Sequence, residues 1–387
     1  MDIYLELSES KKILIGEVDH DSIEKTQMSL MTGKSEINGF MKLVGSSEIF
    51  PMPTNYQSMC NILGITGKDA ALAVPKESLR AHLKTCVEGI QNALCDTENS
   101  DYLVTYLTIK RFLQGLSRSS IDLPKLKGMI EETEYETVKS TLSSFLPAPG
   151  SLCNRVEYST VNTSTGRLTV TGGPQILTAP ARVRSCLKSR YPGGKVIQID
   201  LVSAEPKFAL HVKGDDIPVD VYEFVANTIL KSQVERSHAK LITLCALYGQ
   251  SPKNLEKKLP ECVNARSVIR QARNYFDYDR LKRRLALELS SNNLRNAVGR
   301  PLKIQDNNEH LLISYYLQSS VAEGSLLMFA QFSENFSDYC SPLFVIHDAL
   351  IIDCQKEFAE SLLKNETIEL SLGDWKFDAS VKVLEDN

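Results

Sequence analysis

The sequence predicts an α+β fold in which one sheet is assembled from segments far apart in the chain. Three observations carry this. Strand-like text occurs at three separated places, near residues 160, 200 and 350. Long blocks with helical spacing lie between them. One stretch, LFVIHDALIIDC at 343–354, runs apolar up to His347 and Asp348 and apolar away again, as a buried hairpin does. Helices kept apart from a sheet built of distant segments make an α+β arrangement.

In chain order, residues 1–50 are mixed, with strand-like ILIGEV from Ile13. Residues 54–145 read as mostly helical. The clearest stretch is 100–118, where Leu, Tyr and Phe recur at helical spacing behind a Ser or Asp able to cap the N-terminus. The text changes at PAPG, 147–150, and Thr, Val, Gly and Ser then dominate 156–177, which predicts strands and turns. GKVIQIDLVS, from Gly194, is a short apolar strand ending in Asp200. Residues 220–298 are helical and basic, and 309–334 form another helix. The hairpin follows, and SLGDWKFDASVKVL closes with strand-like alternation.

A chain of 387 residues suits two or three domains or one multi-lobed unit. No apolar run reaches the roughly 18 residues that span a membrane, and MDIYLELSESKK has neither the basic nor the apolar part of a signal peptide. The nine cysteines are scattered with no C-x-x-C, which argues against a disulfide framework or a zinc site. A reducing compartment is expected, with no membrane partner. The net charge of −4 hides an uneven distribution. Residues 231–303 hold 16 Lys and Arg against six Asp and Glu, a basic excess that suits phosphates as well as a solvated helical surface.

Asp200 ends one apolar strand and Asp348 sits at the tip of an apolar hairpin. A polar pair at a tip is by itself an ordinary wet turn. If the strands are neighbours, however, two carboxylates converge, and a hard divalent ion relieves their repulsion. Mg²⁺ takes one or two carboxylates and completes its shell with water and phosphates. Two such ions, about 3.5–4 Å apart, can clamp the attacking and leaving oxygens of phosphoryl transfer. In VERSHAKLITLCALYGQS, Arg236, Lys240, Leu244 and Tyr248 recur every fourth position, one slowly rotating helix face. It reads either as an amphipathic core helix or as two cations for a triphosphate followed by an aromatic for a base.

Together these segments resemble the polymerase portion of family A DNA polymerases, the DNA polymerase I group. DLVSAE, Asp200 to Glu205, is similar to that family's motif A. Arg236, Lys240 and Tyr248 followed by Gly249 have the spacing of motif B, and His347-Asp348 looks like motif C. NTSTGRL from Asn162 and LQSSVAE from Leu317 are similar to two further family segments. The resemblance covers about 150–387 well and 54–145 less closely, and a small viral or phage member fits it, which implies the cytoplasm of a bacterium or of a phage-infected host.

The resemblance implies a right-hand polymerase with an antiparallel palm sheet. Residues 1–53 are a segment of unknown role, 54–145 the thumb, 146–215 and 301–387 the palm, and 216–300 the fingers. It implies a template-directed DNA polymerase that extends a primer with dNTPs. Asp200 and Asp348 would hold two Mg²⁺ ions, with Mn²⁺ a substitute. Arg236 and Lys240 would meet the triphosphate, with Tyr222 near where the family often has a His that touches it. Tyr248 would sit by the templating base, Leu244 near the sugar, and Glu205 under the sugar, where it crowds a 2′-hydroxyl. Arg167 and Gln318 would contact the minor groove, and His347 the primer terminus. Primer-template DNA and dNTPs are the expected partners. About 50 residues before the thumb are too few for a proofreading domain, so no 3′-5′ exonuclease is expected in this chain; a separate exonuclease or processivity subunit would be a further partner.

The sequence departs from the family pattern at several places. Leu244 replaces an aromatic, Ala349 a Glu, and Pro206-Lys207 a Leu-Arg pair. Leu244 and Ala349 motivate a second reading, a catalytically inactive polymerase-like DNA-binding protein or accessory subunit. A third, a single-subunit RNA polymerase or primase, is opposed by Glu205 and the TGRL segment.

Overall fold

A computed structural model describes residues 36–45, 92–147, 152–304 and 311–384, with the short pieces 6–7 and 13–14 and the single positions 58, 62 and 89. Most of the expected helical stretch before residue 92 therefore lies outside the described residues, as does ILIGEV beyond Ile13–Leu14.

Five strands form the central sheet: β1 Lys195–Leu201, β2 Cys340–Ile346, β3 Ala349–Cys354, β4 Thr367–Leu372 and β5 Trp375–Val383. Their order is β4-β5-β1-β3-β2, and every neighbouring pair is antiparallel. The expected sheet from distant segments is thus present: β1 is separated by more than a hundred residues from the hairpin it joins. In β5, Phe377, Ala379 and Val381 are buried in strict alternation, the period of a strand with one face on the core. In β3 all six residues are buried, as suits a strand covered on both faces. Its one charged member, Asp353, accepts from Ser189 Oγ at 2.5 Å, Arg190 N at 3.0 Å and Arg190 Nε at 3.2 Å. Those bonds offset the cost of burying a carboxylate.

Strand β2 is an edge, and it is blunted. It carries Pro342 and an irregularity between Pro342 and Phe344. Its open side at Val345 is closed by the buried hydroxyl of Tyr158, which donates to Val345 O at 2.7 Å and accepts from Val345 N at 3.2 Å. Pairing with a foreign strand is blocked there. Tyr158 belongs to a small antiparallel ribbon, Glu157–Ser159 with Thr169–Gly172, where the composition of 156–177 predicts strands.

Among the helices of the described residues are α1 Thr97–Gln114, α2 Ala204–Lys213, α3 Arg236–Leu247, α4 Ala265–Tyr275, α5 Tyr278–Ser290 and α6 Leu312–Asn335. In α4, Ala265, Val268, Ile269 and Ala272 are buried at helical spacing while Arg266 and Arg270 are exposed. That helix starts with Asn264 accepting from Ser267 N at 3.0 Å. The charge excess of 231–303 therefore sits largely on outer faces. Helix α6 is apolar on most sides and buried through its length, the mark of a central helix. At Gly324 a Cβ would fall 2.6 Å from the Trp375 ring, so only glycine lets α6 lie this close to β5. Phe208 of α2 packs on Trp375 at 4.7 Å and on Tyr316 at 5.9 Å between ring centres.

The chain divides into two compact units, residues 1–107 with 299–301, and 108–298 with 302–387. In the first, Phe40, Tyr102 and Tyr106 form an aromatic cluster with centroids 5.8–6.3 Å apart, and buried Arg300 donates to the Tyr102 hydroxyl at 3.3 Å. The second holds the central sheet and all of the residues that the sequence motifs single out.

Candidate active site

The two aspartates meet because of strand register. Asp200, next to last in β1, lies opposite Ala349, the first residue of β3. Asp348 precedes Ala349, in the two-residue turn between β2 and β3. Leu201 N donates to Asp348 O at 3.1 Å and fastens that turn to the end of β1. The other two-residue turn of the sheet, between β4 and β5, begins with Gly373 at φ 56°, where glycine is at ease. The Asp348 turn begins with His347 at φ 55°. A bulky ring in the left-handed region is strained, and such strain persists where a side chain is needed.

Burial, with the charges of Glu205 and Asp200, pushes the Asp348 carboxyl up to about 6, and Arg167 opposes this. Burial also raises Asp200, against the pull of Lys382, Arg184 and Lys240. Carboxylates crowded into one place hold protons unless a cation joins them. The donor set fits a hard divalent ion that completes its shell with water and substrate phosphate. No group of three or more His, Cys, Asp or Glu able to hold a metal by itself occurs among the described residues.

Glu205, in the first turn of α2, ties the neighbouring parts together. Its Oε1 accepts from Tyr248 Oη at 3.0 Å and Arg167 Nη2 at 3.3 Å. Tyr248 caps the C-terminus of α3, one turn after Leu244, whose carbonyl accepts its N–H at 2.9 Å. Burial and the Glu205 charge raise the Tyr248 phenol. Arg167, Glu205, Gln318, His347 and Asp348 line one pocket.

The N-terminal half of α3 presents its cations to Tyr222. The Arg236 guanidinium lies 5.6 Å and the Lys240 ammonium 5.7 Å from the ring centre. Burial pushes the Tyr222 phenol up to about 12, and a hydrogen bond with Ser203 works against this. Every residue that the motifs single out thus lies in one connected region; Leu244 joins it through its helix. Sequence reasoning missed Asp220, whose Oδ2 accepts from Arg236 Nε at 2.6 Å and whose Oδ1 accepts from Glu223 N at 2.9 Å. The legible signal was D-V-Y-E, an acidic cap followed three residues later by Glu.

This geometry can be set beside known proteins. No family model and no curated protein matches the sequence. Among solved structures, the polymerase domain of Pol1 from M. smegmatis, in complex with DNA primer-template and dNTP, superposes with a TM-score of 0.62. The match covers 89% of this chain and 80% of that one at 13% identity. The chain has the fold of a polymerase domain. At that identity the likeness speaks for the fold alone. No helix among the described residues is long and apolar enough to cross a membrane.

Proposed function

We propose that this chain is a template-directed DNA polymerase of the family A type, adding dNTPs to a primer 3′ end. The observation that carries the reading is the convergence of Asp200 and Asp348 at one end of the sheet, beside Glu205, which acts on Asp348 and accepts from the tyrosine at the end of α3. A polymerase-domain fold makes the convergence meaningful.

In this reading the central sheet belongs to the palm, α3 to α5 to the fingers, and the helices before residue 145 to the thumb. Asp200 and Asp348 would hold two Mg²⁺ ions, or Mn²⁺ in their place. Such ions, when bound, neutralise developing charge and orient the attacking and leaving oxygens. The chain's own residues supply placement, the larger part of phosphoryl-transfer catalysis. Arg236 offers a planar fork and Lys240 a point charge to the triphosphate, with Tyr222 as a shelf beneath both. Glu205 is held by Tyr248 and Arg167, so it can bar a 2′-hydroxyl without moving. Arg167 and Gln318 face the primer-template minor groove, and His347 places the primer terminus.

The test is extension of a labelled primer on a template with Mg²⁺, comparing dNTPs with NTPs and using Asp348→Ala as control. Template-dependent extension with dNTPs, lost in the variant, is expected. Binding of primer-template without extension would instead support a non-catalytic relative, the reading that Ala349 and the Asp220–Arg236 pair favour.

A further inference from the structure

Asp200 and Glu205 both raise Asp348 by their charge. Three cations act on the Asp200 carboxylate: Lys382, Arg184 and Lys240, with Lys382 the largest of the three. Among the described residues, none of the three forms an ion pair with it. Arg184 donates to neutral Gln198 Oε1 at 3.3 Å, and Lys240 rests over the Tyr222 ring.

Strand register places Lys382. In β5, Ser380 faces Asp200 and Lys382 faces Gln198. Directly paired residues share a face of the sheet, and so do residues two apart in a strand. Lys382 is therefore the diagonal neighbour of Asp200 on the face that Arg184 also reaches. Its side chain is exposed. None of these cations is neutralised by direct pairing with Asp200, so a polyanion can engage Lys382 where the single carboxylate does not.

We propose that Lys382 is a phosphate-binding residue of the active site, engaging the diphosphate part of the nucleotide, either as the triphosphate tail or as released pyrophosphate. The inference rests on the polymerase reading for the identity of the nucleotide, and on register and charge for the site. A lysine suits this role because its point charge and flexible stem can follow a diphosphate that leaves.

Binding of inorganic pyrophosphate and of a dNTP to the full chain with Mg²⁺ tests this by calorimetry, in wild type, Lys382→Ala and Lys382→Arg. The Ala variant should weaken pyrophosphate binding by about tenfold, as for loss of one charge-assisted contact, and Arg should restore most of it. Equal weakening for the dNTP assigns the triphosphate tail; weakening for pyrophosphate alone assigns the released product. Primer-template affinity should stay unchanged. Unaltered pyrophosphate and dNTP binding in the Ala variant, or no binding of either by wild type, overturns the proposal. So does a loss confined to primer-template, which would make Lys382 a strand contact. Wild-type primer extension, run alongside, separates the two ideas: extension with unaltered binding in Lys382→Ala sinks only this inference. Absent extension with Lys382-dependent pyrophosphate binding sinks only the polymerase reading.

Discussion

The main-chain N–H of Leu201 donates to the carbonyl oxygen of Asp348 at 3.1 Å, so the turn bearing one carboxylate is fastened to the strand bearing the other. The two side chains are held together by backbone, although they strain against one another electrostatically. That conflict yields the first prediction.

Asp348 has a folded-state pKa of about 6 against an ordinary 3.8, so the folded chain holds this proton more tightly than the unfolded chain. Its contribution to stability is complete below the unfolded value and is lost as pH rises through about 6. Asp348→Asn should therefore stabilise the fold at pH 8 by about 2–3 kcal/mol and abolish primer extension. Urea denaturation at pH 4 and pH 8 measures it; a gain of equal size at both would show that the carboxylate is not the source.

Glu205→Ala should widen sugar acceptance. Losing a barrier to the 2′-hydroxyl raises NTP incorporation relative to dNTP, and the orphaned Tyr248 hydroxyl costs about 1 kcal/mol of stability. The ratio of kcat/KM for the two sugars is the readout. Unchanged discrimination would remove Glu205 from that role.

Asp220→Asn keeps the cap on Glu223 N but removes the charge that engages Arg236. The pair is partly exposed to solvent, so its release is worth at most about 1 kcal/mol, or roughly fivefold. The dNTP KM should fall by up to that factor. A rise would mean that Asp220 positions Arg236 for the triphosphate instead of competing with it.

Tyr158→Phe removes the hydroxyl that satisfies both polar groups of Val345 at the sheet edge. A loss of about 1–3 kcal/mol is expected, together with a greater tendency to associate through the open edge. Denaturation and light scattering on the same samples test the two parts.

The hairpin, the strand at Asp200 and the long helix before the hairpin were legible because each is a local pattern: an apolar run, its period, and a turn. The placement of Asp200 beside Asp348 followed only once those strands were taken as neighbours, which register then supplied. Tyr158 closing the edge at Val345 was not legible, since the two residues are 187 positions apart and neither has a local mark. Lys382 was hidden for a similar reason. In the sequence it is one of many surface-type lysines, and only pairing with β1 brings it to the carboxylates. Helix Lys356–Lys364 was also missed, since its short amphipathic run lies between stretches of strand-like text.

Strand β3 is buried at every residue and flanked by strands on both sides. Its amide protons can exchange with solvent only when the whole sheet opens, so they should report the global unfolding free energy. The acidic turn is continuous with that strand. Heat inactivation and global melting should then coincide, with no partly unfolded but catalytically competent species between them. A protease should find no early cut near the carboxylates.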